Sequence, residues 1–285
     1  MKTLSKIKIH SPFTLIELMA AMGVFAIIMF IVMSFFSAAN KAWANCRERS
    51  EVFENARIAM DLISRDIQCM YYEYEKIPFY HYPGTSAAND NEALFFISAT
   101  SIRPISVSKI CEIAYSFYNQ DVPVVGTACK AGWLVRSATA DSNPSKWNYY
   151  DTPAVQLALE DPHAGKVFDM TDNTYAFTQN SASREAYNLV VPNVVWLSFV
   201  CIERNGTIIN NSTNPKMFPY SIIVNLTLLD SSSWAKWKTI APTAIITDPD
   251  TQGTSENNTA WELRRNNQRK FSKTIIIGER GQKYN

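Results

Sequence analysis

The stretch Pro-Phe-Thr-Leu-Ile-Glu-Leu-Met-Ala-Ala-Met-Gly-Val-Phe-Ala-Ile-Ile-Met-Phe-Ile-Val-Met-Ser-Phe-Phe, residues 12–36, decides how the rest of the sequence is read. Between Leu18 and Phe36 no residue is charged, and at about 1.5 Å per residue a helix of this length nearly crosses a bilayer core of about 30 Å. One acid, Glu17, stands at the edge of the run, where an ionisable side chain is costly unless it has a partner. Ahead of it lies a short basic leader with Lys2, Lys6 and Lys8. The positive-inside rule keeps those lysines cytoplasmic and sends everything after Phe36 outward. An ordinary secretory signal would have a shorter apolar core and a small-residue cleavage site after it, and a generic anchor has no reason to place Glu17 at its start.

Helical patterning continues past the apolar run. From Ser37 to about Tyr74 there is no Pro or Gly, and Phe53, Ala56, Met60, Ile63, Ile67 and Met70 recur at steps of three and four, which is one apolar stripe. Arg47, Glu48, Glu51, Glu54, Arg57, Asp61 and Arg65 occupy the other face as a solvated surface, with Asp61 and Arg65 as an i,i+4 pair. The pattern predicts one helix of about sixty residues, its first half in membrane and its second half packed on a domain.

The basic leader, the sequence Phe13-Thr14-Leu15-Ile16-Glu17 and the apolar residues after it resemble the N-terminal processing and assembly signal of type IV pilins and type II secretion pseudopilins. The resemblance implies cleavage by a prepilin peptidase between Pro12 and Phe13, N-methylation of Phe13, and pairing of Glu17 with the terminal amine of a neighbouring subunit. Pro12 departs from the pattern, because the family usually carries Gly there and Pro has a fixed φ and no N–H. The segment Ala56–Ile67 resembles the spine helix of J-type minor pseudopilins and PilW-like minor pilins. What this implies is an α+β, pilin-like fold in which a long N-terminal helix packs on an antiparallel β-sheet. The expected divisions are a leader at 1–12, a transmembrane helix at 13–36, its amphipathic continuation at 37–75, and a β-rich globular domain at 76–285.

After Pro78, Pro83 and Gly84 the period shortens to that of strands. Ala93–Ala99, Ile110–Tyr118 and Gly132–Ser137 are apolar, β-branched runs bounded by turn formers. Residues 139–185 are rich in Asp, Asn, Ser, Thr and Pro, which predicts a long irregular insertion with one short strand near Lys166–Phe168. Val194–Glu203 and Ser221–Leu229 are expected as antiparallel neighbours, with Asn205-Gly206 as a turn. Phe271–Ile277 is expected as a terminal strand, reached through the polar stretch Thr251–Arg269. With 285 residues the chain has room for one sizeable core after the membrane segment, and 47% hydrophobic residues exclude a disordered passenger.

Little in the sequence points to catalysis. It has no glycine-rich phosphate loop, no nucleophile elbow and no His-Glu-x-x-His helix. Asp248 with Asp250 and Glu160 with Asp161 sit beside prolines in polar loops, as solvated turn residues do. Asp169, Asp172 and Asn173 lack the ordered spacing of a calcium loop, and His10, His81 and His163 are scattered, so neither a metal nor a cofactor is implied. Five cysteines leave at least one unpaired; Cys111 with Cys129 is the best disulfide pairing, and the alternative is that most are small buried hydrophobes.

Net charge is +1, and loss of the leader makes the chain slightly acidic, so no global basic field argues for nucleic acid. Locally, Trp234-Ala235-Lys236-Trp237-Lys238 interleaves aromatic and basic residues and Arg264–Lys270 is a basic run, the residue types that single-strand binders combine. Against that stands a Trp pair covering a sheet edge and a solvated cationic approach to the last strand. The family resemblance implies a minor structural subunit, not an enzyme, in the bacterial inner membrane, with its C-terminal domain periplasmic or carried on a pilus. Its implied partners are other pilin or pseudopilin subunits, the prepilin peptidase and membrane lipid. The alternative is an adhesive or DNA-binding module displayed on a pilin stem.

Overall fold

The computed structural model describes residues 14–72, 79–82, 92–99, 111–117, 132–140, 186–209 and 218–278. The chain divides into two compact units, 1–49 and 50–285. Its first element, α1, is a helix of 54 residues, Leu15–Gln68. Ala is its commonest residue, it contains no Pro, and Gly23 is its only glycine, so nothing in it breaks a helix.

The helix stops at Gln68, short of the boundary at 75 expected from the absence of Pro and Gly. Competition from a sheet ends it. Cys69 N still donates to Arg65 O at 3.0 Å, but Cys69 O accepts from Ala99 N at 2.9 Å. Met70–Tyr71 (β1) then pairs antiparallel with Ala93–Ser98 (β3), Met70 facing Ser98. Ser98 Oγ also donates to Asp66 O at 2.9 Å, satisfying one of the carbonyls that every helix C-terminus leaves open.

In the second unit the strands form two antiparallel sheets. The first has the order β1-β3-β4-β5-β6, with β2 (Tyr80–Tyr82) joining β3 beyond the end of β1. Here β4 is Cys111–Phe117, β5 is Leu134–Ala140 and β6 is Ala186–Val191. Asn193, at φ 62°, turns the chain from β6 into β7 (Val194–Ile202), and Val194 N donates to Gly132 O at 2.8 Å. The second sheet has the order β10-β9-β7-β8, where β8 is Ile208–Ile209, β9 is Ser221–Leu228 and β10 is Arg269–Ile276.

The expected pairing of the two apolar strands holds, since β7 and β9 are antiparallel neighbours with Phe199 facing Val224. The Asn205-Gly206 turn serves a different junction. It folds β7 onto the short β8, with Gly206 at φ 87° and Thr207 N donating to Asn205 Oδ1 at 2.8 Å, while β9 lies on the other side of β7.

Alternation sets the core. Ile222, Val224, Leu226 and Leu228 are the inward residues of β9, and they share one cluster with Leu94, Phe96 and Tyr115 of the first sheet. The helix contributes Val52, Ala56, Ala59, Met60, Ile63 and Ile67 to that cluster. Phe53, expected on the stripe, is instead 57% exposed and meets Phe271 edge-on, with centroids 5.5 Å apart.

Two further helices follow: α2, Ser231–Ile240, which carries the Trp pair, and α3, Asn258–Asn267, which lies in the stretch expected as polar connection. Each is capped, Asp230 accepting from Ser233 N and Asn257 from Ala260 N. With Val195, Leu229 and Ile246 they enclose a smaller core around Trp237 and Ala260. The insertion expected at 139–185 lies outside the described residues beyond Ala140, as does its short strand.

Candidate assembly site

The head of α1 is a capping box. Thr14 N and Thr14 Oγ1 both donate to Glu17 Oε2 at 2.9 Å, and Glu17 N donates back to Thr14 Oγ1 at 3.4 Å. A Thr followed three residues later by Glu satisfies donors that a helix N-terminus leaves without partners, and the negative charge suits the positive end of the helix dipole. Glu17 Oε1 accepts no hydrogen bond among the described residues. Pro12 and Phe13 lie outside the described residues, so Glu17 is the member of the expected processing and assembly set that the structure places.

Behind this box α1 is apolar on every side as far as Phe36. Leu15, Phe25, Phe30 and Phe35 are all more than 60% exposed, and the most apolar 18-residue window has a mean hydropathy of 2.6 with none of it buried. This one N-terminal helix is long and apolar enough to cross a membrane. A helix that is hydrophobic all round needs an apolar surrounding, whether lipid or other helices. Gly23 lies in open space, where an added Cβ would meet nothing within 4 Å.

In the second unit three buried polar clusters were not foreseen from sequence. Asp66, expected on a solvated face, is fully buried. Its Oδ2 accepts from Tyr115 Oη and from Arg136 Nε, both at 2.6 Å, while Arg65 lies 3.6 Å from Oδ1. Burial, then the Asp66 charge, pushes the Tyr115 hydroxyl well above the usual phenol range.

The second cluster joins the sheets. Glu92 Oε1 lies 2.8 Å from His81 Nε2 and accepts from Phe199 N of β7. Burial raises the Glu92 pKa against the opposing pull of His81 and the Phe199 amide. His81 Nδ1 has no hydrogen-bond partner among the described residues. Cys201, also buried, has its thiol pushed up by burial and by Glu92.

Third, Glu256 and Arg264 form a buried ion pair, Arg264 Nε to Glu256 Oε1 at 2.8 Å and Nη2 to Oε2 at 2.9 Å. Trp237 Nε1 donates to Glu256 Oε1 at 2.7 Å, and Arg264 Nη1 reaches Pro249 O at 3.1 Å. Burial works against the Glu256 carboxylate, but Arg264, the Gly253 amide and Trp237 together hold its pKa below the ordinary value.

Other expectations change with the packing. Asp61 pairs with Arg57 at 3.7 Å and with Lys273 of β10 at 3.1 Å, not with Arg65. Trp234 and Trp237 share α2, their centroids 5.3 Å apart under the Lys238 ammonium. Because Trp237 and Arg264 are both interior, the interleaved aromatic and basic surface suggested by the sequence is not displayed as such. Asp248 and Asp250 form a turn, Asp250 N donating to Asp248 Oδ1 at 2.8 Å, and Asp250 pairs with Lys270.

An open groove of about 340 Å³ beside that turn is lined by Trp196, Asn225, Thr227, Lys270 and Ser272, with Pro249 between it and Arg264. Cys46, Cys69 and Cys201 are free thiols. The Cys111–Cys129 pairing, Glu160 with Asp161, and the calcium candidates Asp169, Asp172 and Asn173 fall outside what is described. No group of three or more His, Cys, Asp or Glu among the described residues could hold a metal. The sequence matches no protein-family model and no curated protein.

Proposed function

We propose that this chain is a structural subunit of the pilin or pseudopilin kind, a minor component that joins others through its N-terminal helix. The observation that carries the reading is the pairing of an all-round apolar helix with a single acid at its head. Phe13 would be the processed, N-methylated terminus, freed by a prepilin peptidase that cuts after Pro12. Glu17 spends Oε2 on its own helix cap and leaves Oε1 for a donor from elsewhere. A neighbouring subunit's terminal ammonium is such a donor, and in hydrocarbon an unmatched carboxylate costs at least about 2.5 kcal/mol, so the pair would set subunit register. Open space at Gly23 would let a neighbouring helix approach its backbone closely. The globular unit, in the periplasm or on a pilus, would cap or initiate the assembly.

The test has two parts. The mature N-terminus, determined by mass spectrometry from cells that contain the peptidase, should be a methylated Phe13; a mature chain that still begins at Met1 overturns the reading. Glu17→Ala should fold and reach the membrane yet fail to crosslink into filaments with partner subunits, and wild-type incorporation would remove Glu17 from the assembly contact. The DNA-binding alternative loses support from the interior positions of Trp237 and Arg264.

A further inference from the structure

Past Phe36 the first unit changes character while remaining helical. Residues 37–40 are small or polar, and then come Lys41, Trp43, Arg47, Glu48 and Arg49. Trp43 is 77% exposed, as open as any residue of the apolar run. At 100° per residue, Trp43 and Arg47 share one side of the helix, while Lys41 and Arg49 point to others, so the cationic groups encircle the helix instead of marking one face. A one-sided protein partner would not need such an arrangement. A medium that surrounds the helix would.

The spacing matches the layers of a bilayer. From Leu18 to Phe36 the helix rises about 27 Å, close to the hydrocarbon thickness of about 30 Å, and from Thr14 to Trp43 it rises about 44 Å, within the roughly 40–45 Å that includes both headgroup layers. Trp rings settle at that boundary, and Lys and Arg carry their charges to the phosphates along apolar stems.

We infer that Lys41, Trp43, Arg47 and Arg49 form a collar that seats α1 in the anionic phospholipid headgroups of the outer face and fixes its depth. This rests on the membrane-seated subunit proposed above. It has a consequence for the acid: Glu17 lies about 39 Å along the helix from Trp43, which places it in the opposite headgroup layer. There the Thr14–Glu17 capping box is wet. The resting subunit therefore carries no buried charge, and burial of Glu17 begins only when the helix rises or a neighbour covers it.

The test uses the full chain in vesicles of phosphatidylethanolamine and phosphatidylglycerol. The contribution of Trp43 is isolated as the difference between wild type and Trp43→Phe, a change on an exposed ring. Lipids brominated near the head of the acyl chain should quench that contribution at least about twofold more than lipids brominated near its end. Lys41→Gln/Arg47→Gln/Arg49→Gln should lessen this preference. Stronger quenching by the deep bromines overturns the collar. Absence of quenching by either lipid, with residues 15–36 still protected from protease, overturns the collar and leaves the span standing. Loss of vesicle association altogether overturns the span on which the collar depends.

Discussion

Arg136 Nε donates to Asp66 Oδ2 at 2.6 Å across seventy residues of sequence, with both side chains buried. Because Tyr115 Oη reaches the same oxygen and Ser98 Oγ reaches Asp66 O, one helical residue is held by three consecutive strands, β3, β4 and β5. The end of α1 is thereby tied to the first sheet at a defined position, and the stripe from Val52 to Ile67 is rotated into the core.

Breaking this tie from one side leaves a charge stranded. Arg136→Met should cost about 3–5 kcal/mol in urea unfolding of the full chain in detergent, and adding Asp66→Asn should recover part of the loss. A cost below about 1 kcal/mol for Arg136→Met would remove the pair from the account of stability.

Tyr115 supplies an alkaline limb. A hydroxyl whose folded pKa is raised contributes stability that is intact below the unfolded value of about 10 and is lost as pH rises beyond it. Wild-type stability should therefore fall above about pH 10 more steeply than that of Tyr115→Phe, which at neutral pH should be weaker by about 1.5–3 kcal/mol. Equal alkaline slopes would contradict the assignment.

Glu256 has the opposite sign. Its carboxyl is held low by Arg264, so its contribution is present at neutral pH and lost as pH falls below about 4.3 toward its folded pKa. Arg264→Met strands the carboxylate beside Trp237. That variant should be about 3–5 kcal/mol less stable at pH 7 and should lose less than wild type on acidification, a crossover visible in melting curves at pH 4 and pH 7.

Gly132 sits at φ 75°, and an added Cβ would lie 2.1 Å from Trp234 Cζ2. Gly132→Ala should cost about 2–4 kcal/mol from left-handed strain and overpacking, measured by thermal unfolding. Trp234→Ala in the same chain should return the overpacking part but not the strain.

The thiols should separate by exposure. Cys46 and Cys69 should react with maleimide in the native chain, whereas Cys201, buried and with its thiol pushed up, should react only after unfolding. Peptide mass spectrometry reads this directly, and native labelling of Cys201 at the rate of Cys69 would contradict its buried position.

Periodicity carried much of the fold. The stripe at Ala56, Met60, Ile63 and Ile67 is legible because burial repeats with the helical step, and the apolar run and the strands β3, β4, β7, β9 and β10 because each is a continuous or alternating stretch of apolar residues between polar boundaries. What escaped were features set by partners distant in sequence. Asp66 looks like one more surface charge until Arg136 and Tyr115 face it, and Arg264 looks like part of a basic run until Glu256 does. The end of α1 carries no breaker, because the competitor is Ser98 and Ala99. The helices α2 and α3 are short, and their caps at Asp230 and Asn257 were the signals available. At the assembly site Thr14 and Glu17 stand at capping-box spacing, so the local half of the site was open to reading.

The last described strand and the residue after it supply Ile275 and Ile277 to the main core, and Lys273 reaches Asp61 across 212 positions of sequence. The edge of β9 that pairs with this strand must therefore wait, unpaired, until Arg269–Ile276 has been synthesised. A product that stops before Arg269 would carry every earlier strand and no closure, so it should collect in insoluble form.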